Sequence, residues 1–217
     1  MICGDSSTAE QPAFLLDDGG AIPTSPLHVH EIDFAAAAKI VSFYHYLGKT
    51  KFLHSRLFGL YENGNLVGAA VFGNLSAPET AMSAFNLPRG NYKNLLELHR
   101  FVIAPSHNNS QNAGSFLLGR ALRVLRKDGY KAIISYADAD YHIGYLYQAT
   151  NFTYHGLTSP KCDYYVDGKK QSRGPTKGRG GIWKSRSQKH RYVYLLDKNL
   201  SVSWEKQTYP KQGSNKK

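Results

Sequence analysis

Over residues 95–156 the spacing of apolar positions changes period four times. An apolar run predicts a strand over 96–103, ended by Pro105 and a polar stretch that runs to Asn112. A helix follows over 112–127. Its inner face is Ala113, Phe116, Leu117, Ala121, Val124 and Leu125, and Gly129 closes it. A second strand covers 131–136, where the adjacent Ile133 and Ile134 suit a strand buried on both faces. A short helix at 145–150 leads into a third strand that begins at 151–154. The order is βαβα, with a turn before the first helix where phosphate oxygens meet free backbone N–H groups.

Upstream, Asp33 is an N-cap for a helix over 34–47, with Ala37, Ile40, Val41, Tyr44 and Leu47 inward and Gly48 at its end. Two strand-like runs flank Asn63-Gly64, a strong hairpin signal. Residues 76–94 read as a loop with room for a short helix. Residues 1–30 read as a flexible lead-in, and 31–200 as one domain. Within it, 167–190 is poor in apolar residues and reads as a long basic loop, and 191–196 as the last strand. Residues 201–217 read as a basic, disordered tail.

Charge changes this picture. The net charge is +11. Residues 1–160 hold 12 Lys/Arg and 12 Asp/Glu, whereas 161–217 hold 15 and 4, so the whole excess (15 − 4 = 11) lies at the C-terminal end. A neutral body with a basic end is the footprint of a polyanion binder; the plainer alternative is a solvated tail. The basic residues are interleaved with Trp183, Tyr192 and Tyr194, which favours nucleic acid. Lys169, Lys170, Arg173, Lys177, Arg179, Lys184, Arg186 and Lys189 are the candidate phosphate contacts. Trp183 either wedges beside a displaced base or packs on the body. Two widely separated cysteines, Cys3 and Cys162, argue against a disulfide framework and for a reducing, cytoplasmic setting. The N-terminus lacks the pattern of a signal peptide, and no stretch approaches the ~18 apolar residues of a membrane span.

The turn Gln111-Asn112-Ala113-Gly114-Ser115 offers neutral donors at a helix N-terminus, and taken alone it is equally an ordinary cap. Gln111 and Gly114, followed later by Tyr147-Gln-Ala-Thr-Asn151-Phe152, resemble the GCN5-related acetyltransferases. That resemblance implies an α+β fold, a mixed, mainly antiparallel sheet flanked by helices in a single domain. It also implies acetyl-CoA held by Gln111, Asn112, Gly114 and Ser115, with Tyr147 as acid toward the leaving thiolate. Phe116 stands where the superfamily usually has Gly or Ala, and Asn151 where it has Gly.

Finer wording narrows the likeness. His45-Tyr46, Glu97-Leu98-x-Arg100, Asn112-Ala113-x-Ser115, Ser135-Tyr136-Ala137-Asp138, His142-x-Gly144-x-x-Tyr147 and the run 191–196 resemble the Mom DNA-modification proteins of Mu-like phages over residues 35–196. The resemblance implies a transferase that places a carbamoylmethyl group on N6 of adenine in double-stranded DNA, shielding phage DNA from host restriction. It implies association with acetyl-CoA and with iron, and a home in the host cytoplasm. His45, Asp138 and His142 are the ligand types of many non-haem iron sites. Asp138, Tyr147, Arg100 and His45 are the candidate catalytic residues. An acid ending a buried strand is costly unless used or paired. Arg100 either pairs with Asp138 or binds a phosphate. Tyr46, Tyr136, Tyr141 and Tyr147 are candidate stacking partners for a base drawn out of the duplex. Two other functions stay open, a conventional acetyltransferase acting on an amine of protein, RNA or small molecule, and a non-catalytic DNA-binding module on the same scaffold.

Overall fold

A computed structural model of the 217-residue chain describes residues 27–48, 51–107, 112–172 and 180–211. Ten strands and four α-helices run in the order β1 (Leu27–Glu31), α1 (Phe34–Tyr44), β2 (Arg56–Glu62), β3 (Asn65–Gly73), α2 (Glu79–Phe85), β4 (Leu95–Ile103), α3 (Ala113–Lys127), β5 (Ala132–Asp138), α4 (Tyr145–Ala149), β6 (Thr153–Leu157), β7 (Lys161–Val166), β8 (Lys169–Lys170), β9 (Ile182–Arg186) and β10 (Lys189–Leu195). Seven strands form one sheet in the order β1-β2-β3-β4-β5-β10-β6. Among the described residues only β4 and β5 pair in parallel. This is the α+β architecture that the sequence led us to expect.

The sheet is covered on both faces, as its strand patterns require. Leu96, Leu98, Ile133 and Ala137 pack beneath Ala113, Leu117, Ala121 and Leu125 of α3. The opposite face is split between two helices. Ile40 and Val41 of α1 pack on Ala69, Val71 and Val102, and Ala81, Ala84 and Phe85 of α2 on Leu95, Ile134 and Val193. Leu118 and Leu122 are also buried on α3, outside the face expected from spacing. The hairpin at Asn63-Gly64 is realised with positive φ at both residues (51° and 79°), the conformation that a two-residue turn with the sheet's twist demands. Arg56 ties three elements together by pairing with Glu31 and Asp128.

Four expectations need correction. Residues 27–31 belong to the sheet as its edge strand, because Leu27 and Val29 alternate inward against β2. Residues 1–26 lie outside the described residues. The first helix stops at Tyr44, since His45 is already extended (φ −84°, ψ 130°), and Leu47 is exposed. Residues 182–186 are a strand and not loop. β9 pairs with β7 in the register Lys161↔Arg186 to Tyr165↔Ile182, and β8 closes the other side. Low apolar content hid this ribbon, because every residue of β9 is exposed. Residues 201–211 pack on the body. The Ser203 N–H donates to Ala84 O, Gln207 N–H to Tyr154 O and the Tyr209 hydroxyl to Phe152 O at 2.6 Å. Residues 212–217 lie outside the described residues.

Candidate active site

β4 and β5 part company at the site. Their parallel register ends at Leu98↔Ser135. On the other flank of β4 the pairing steps from Phe72↔Leu98 to Val71↔Arg100, so His99 is an extra residue, a bulge that bends the strand away. A V-shaped opening results. Ser135 is fully buried at its apex, and its hydroxyl donates to Leu98 O at 3.3 Å. Alternation along β5 then sorts the side chains. Ile133 and Ala137 face α3, while Ile134 faces α2, with Tyr136 packed against that second cluster. Asp138 has the parity of Tyr136, and Lys189 stands opposite it on β10.

Six of the expected site residues gather at this mouth. His45 and Tyr46 arrive from the end of α1, Arg100 from β4, and Asp138, Tyr141 and His142 from the end of β5. The Tyr46 ring stacks on His45 (4.6 Å), leans on Tyr141 (4.8 Å) and meets His142 edge-on (6.2 Å). Tyr46 and Tyr141 are largely exposed, an aromatic platform at the entrance. Asp138 Oδ2 accepts from Ser187 Oγ at 2.9 Å, and Oδ1 accepts the Asp140 N–H at 3.2 Å. Arg100 forms no ion pair with Asp138 among the described residues; it donates to His99 O, and its buried Nε is left without a partner there. An unsatisfied donor of this kind is a costly feature that a ligand acceptor would relieve.

The surroundings set protonation. Burial, with Arg100 and His142 nearby, holds His45 down to about 4. Its neutral ring accepts the Leu47 N–H on Nδ1 at 3.2 Å, so Nε2 carries the hydrogen and is a donor. Burial also lowers His142, against the pull of Asp138. It raises Tyr46, and Asp138 adds to that effect. Tyr147 is wholly buried, shares a side-chain hydrogen bond with Ser135, and is pushed up to about 12 by that burial. It packs between Phe152 and Tyr192.

His45, Asp138 and His142 do not assemble into an iron site. Among the described residues no three His, Cys, Asp or Glu side chains stand close enough to hold a metal ion. His45 Nδ1 is engaged with a backbone amide, and both Asp138 oxygens with Ser187 and Asp140.

At α3 the N-cap Asn112 adopts the left-handed conformation (φ 56°), and its side chain does not cap the helix. Gln111 lies outside the described residues. A Cβ on Gly114 would lie 3.1 Å from Leu146 Cδ1, so a side chain there would press on the tip of Leu146 of α4. Phe116 is half-buried against the core with the Arg120 guanidinium over its ring. A groove of about 340 Å³ runs between the two helices, lined by Ser115, Gly119, Arg123, Arg126, Thr150 and Asn151. Ser115, Gly119, Leu122 and Arg126 follow helical spacing, a signal the sequence carried for Arg123 and Arg126 that motif matching passed over. Nothing in the sequence marks Ser187 as a site residue, and Ser135 entered only as part of the Ser-Tyr-Ala-Asp motif; the fold brings both to the opening.

The ribbon carries the basic candidates. Lys169 and Lys170 form β8, Lys184 and Arg186 project from β9, and Lys189 opens β10. Lys170 pairs with Asp163 at 2.6 Å, and Lys184 lies over the Tyr165 ring. Trp183 rests on Tyr164 (5.1 Å) with over half its surface still exposed (56%). Arg173, Lys177 and Arg179 lie outside the described residues.

A parallel β4–β5 pair that splays at a bulge, with an uncapped helix N-terminus beside the opening, defines the GCN5-related acetyltransferase fold. Three solved structures share it: an N-acetyltransferase from Staphylococcus aureus Mu50 (TM-score 0.51, 17% identity, 80% of this chain and 100% of that one), polyamine N-acetyltransferase from Drosophila melanogaster (0.52, 14%, 78% and 99%), and YncA from Salmonella typhimurium, solved with acetyl-CoA (0.50, 17%, 80% and 96%). No curated protein sequence matches the chain. The chain belongs to the Mom protein family, whose profile matches residues 26–211.

Proposed function

We propose that this protein is a transferase that places a carbamoylmethyl group on the N6 amine of adenine in double-stranded DNA, protecting phage DNA from host restriction. The observation that carries the reading is Asp138. It ends β5 beyond the point where β4 and β5 part, beside Ser187 and Lys189 of the basic C-terminal segment, in a member of the Mom family.

Acetyl-CoA is the thioester this reading uses. Because the new bond joins N6 to the acetyl methyl carbon and the product carries an amide, the full conversion also takes two co-reactants: an ammonia-level nitrogen, which displaces the thiolate, and a two-electron oxidant. The CoA pyrophosphate suits the first-turn amides of α3 at Asn112, Gly114 and Ser115, because free N–H groups and the helix dipole favour phosphate there. Arg123 and Arg126 extend the anion-binding groove. The acyl end then points at Ser135 and Tyr147. A phenol near 12 gives a proton to a thiolate of ordinary pKa only at a cost of roughly 5 kcal/mol. On exchanging Ser135 for the sulfur, the Tyr147 hydroxyl therefore serves as a hydrogen-bond donor to the leaving group and not as an acid.

Adenine N6 is a weak nucleophile because its lone pair is drawn into the ring. Asp138 counters this by accepting an N6 hydrogen as the new bond forms. Neutral His45, donating through Nε2, and the unpartnered Arg100 Nε suit the carbonyl oxygen of the transferred group. N6 lies in the major groove but within the base stack, so the base is flipped out, and Tyr46 and Tyr141 at the entrance offer it a ring face in passing as it leaves the duplex. Lys169, Lys170, Lys184, Arg186 and Lys189 hold the phosphates, with Trp183 beside them.

A carbamoylmethyl group on N6 blocks the major-groove edge that restriction enzymes read. Plasmid DNA from cells expressing the chain should resist enzymes whose sites contain adenine, and DNA from cells expressing Asp138→Ala should be cut. Equal cutting of both, with soluble protein in each culture, would refute the proposal.

A further inference from the structure

A second cavity, of about 440 Å³, opens on the α2 face of the sheet, opposite the α3–α4 groove. Its walls include Thr80, Glu97, Tyr136, Lys161, Arg186 and Lys189. The volume falls within the range of about 300–1,000 Å³ typical of small-molecule sites. Its position follows from strand parity. Glu97 stands opposite Ile134, and Tyr136 and Asp138 follow Ile134 at alternate positions on β5. Lys189 faces Asp138 from β10, and Ser187, also on the cavity wall, donates to Asp138. The cavity therefore adjoins the Asp138 carboxylate from the side away from α3.

Its chemistry is asymmetric. The Tyr136 ring is fixed by a side-chain hydrogen bond with Thr80 and forms a flat aromatic wall. Glu97 is already engaged: Ser76 donates to it from both backbone and hydroxyl (2.9 and 3.0 Å), and His99 lies 3.4 Å away. Three cations, Lys161, Arg186 and Lys189, stand against Glu97 and the adjoining Asp138, both already hydrogen-bonded. Lys161 and Arg186 are exposed and sit opposite each other in the β7–β9 register, so the ribbon forms the rim. A polyamine or lysyl acceptor would meet net repulsion here. A planar base joined to phosphate meets an aromatic wall and a cationic rim.

We propose that this cavity seats a single nucleotide extruded from duplex DNA, its base against Tyr136 and its phosphates on Lys161 and Arg186. The assignment rests on the DNA-modifying reading above and adds the acceptor's seat. It also gives the ribbon a role beyond affinity: β7 and β9 fix where the backbone enters, so the base that reaches Asp138 is the one that the rim has gripped.

The test is saturation-transfer NMR on the full chain with deoxyadenosine 5′-monophosphate, in the presence of excess coenzyme A to fill the α3–α4 groove. Wild type should transfer saturation to the base protons. Ala77→Trp, which fills the cavity from an exposed wall position, and the exposed pair Lys161→Glu/Arg186→Glu should each weaken binding by about tenfold or more. Spermidine should not compete. Undiminished binding in both variants, or displacement by spermidine, overturns the assignment. Restriction protection separates the two ideas. If wild-type DNA is protected and both variants protect equally well, the cavity assignment falls and the function stands. If wild-type DNA is unprotected but nucleotide binding is lost in the variants, the function falls and the nucleotide seat stands.

Discussion

Ser187 Oγ donates to Asp138 Oδ2 at 2.9 Å, joining the residue two places before Lys189 on β10 to the last residue of β5. With the Asp140 N–H on the other oxygen, this bond holds the carboxylate at the end of β5, beside Lys189. Removing it leaves Asp138 in place but less constrained. Ser187→Ala should lower turnover by about two- to tenfold, in line with the net worth of one hydrogen bond. Asp138→Asn, which cannot accept a proton, should lower it by about 10²–10⁴-fold. Single-turnover rates on duplex DNA check both, and the order of the two effects is the result that matters.

Gly144 has φ +80°, and a Cβ there would come within 2.7 Å of the Tyr192 ring and 2.8 Å of Tyr147. Backbone strain and overlap act together. Gly144→Ala should destabilise the fold by about 1–3 kcal/mol. It should also displace Tyr147, so activity should fall even at temperatures where the variant stays folded. Chemical denaturation and initial rates measured side by side would show this.

The sequence carried most of the fold and part of the site, and the division has physical causes. Strands β4, β5 and β10 and helix α3 are long, strongly patterned and buried, so period alone found them. Ribbon strand β9 was missed because no residue in it is buried; its pairing depends on β7, not on a core. The segment 201–211 was missed because its docking relies on single contacts from Trp204, Gln207 and Tyr209. Asp138, Arg100, His45 and Tyr46 were legible as motif residues, and the structure brings them to one mouth. The iron set gained no support, because residue type says nothing of whether three donors stand around one point, and no such group occurs among the described residues. Ser187 and the cavity beside Tyr136 depend on register across 49 residues of chain, which no local pattern encodes.

Asn151 replaces the superfamily's usual glycine, and the structure explains the exchange. It has φ +63°, the left-handed region that asparagine tolerates far better than most side chains. The chain turns there so that Phe152 N–H can reach Tyr147 O at 2.9 Å. Asn151→Gly should be nearly neutral, whereas Asn151→Val should cost about 1–3 kcal/mol. Thermal melts of the two variants make the comparison.

His45 gives a dependence on pH. Its folded value of about 4 lies below the ordinary 6.5, so between those two values the unfolded chain binds more protons than the folded one. Stability from this group is complete above pH 6.5 and is lost as pH falls toward 4. His142, His155 and His190 are lowered as well, also by burial, and act in the same direction. His45→Gln should lose less stability than wild type between pH 7 and pH 4.5. Denaturation midpoints at the two pH values, for both proteins, give the answer; equal losses would show that His45 is not held neutral.

The central claim concerns one atom, the exocyclic nitrogen of adenine. Its most direct test is to digest plasmid DNA from cells expressing the chain to nucleosides and identify them by mass spectrometry. The account predicts a deoxyadenosine heavier by one carbamoylmethyl group, with the added mass retained on the base fragment and absent from the Asp138→Ala culture. Nucleosides that are all of ordinary mass, or a modification carried by a base other than adenine, would contradict it.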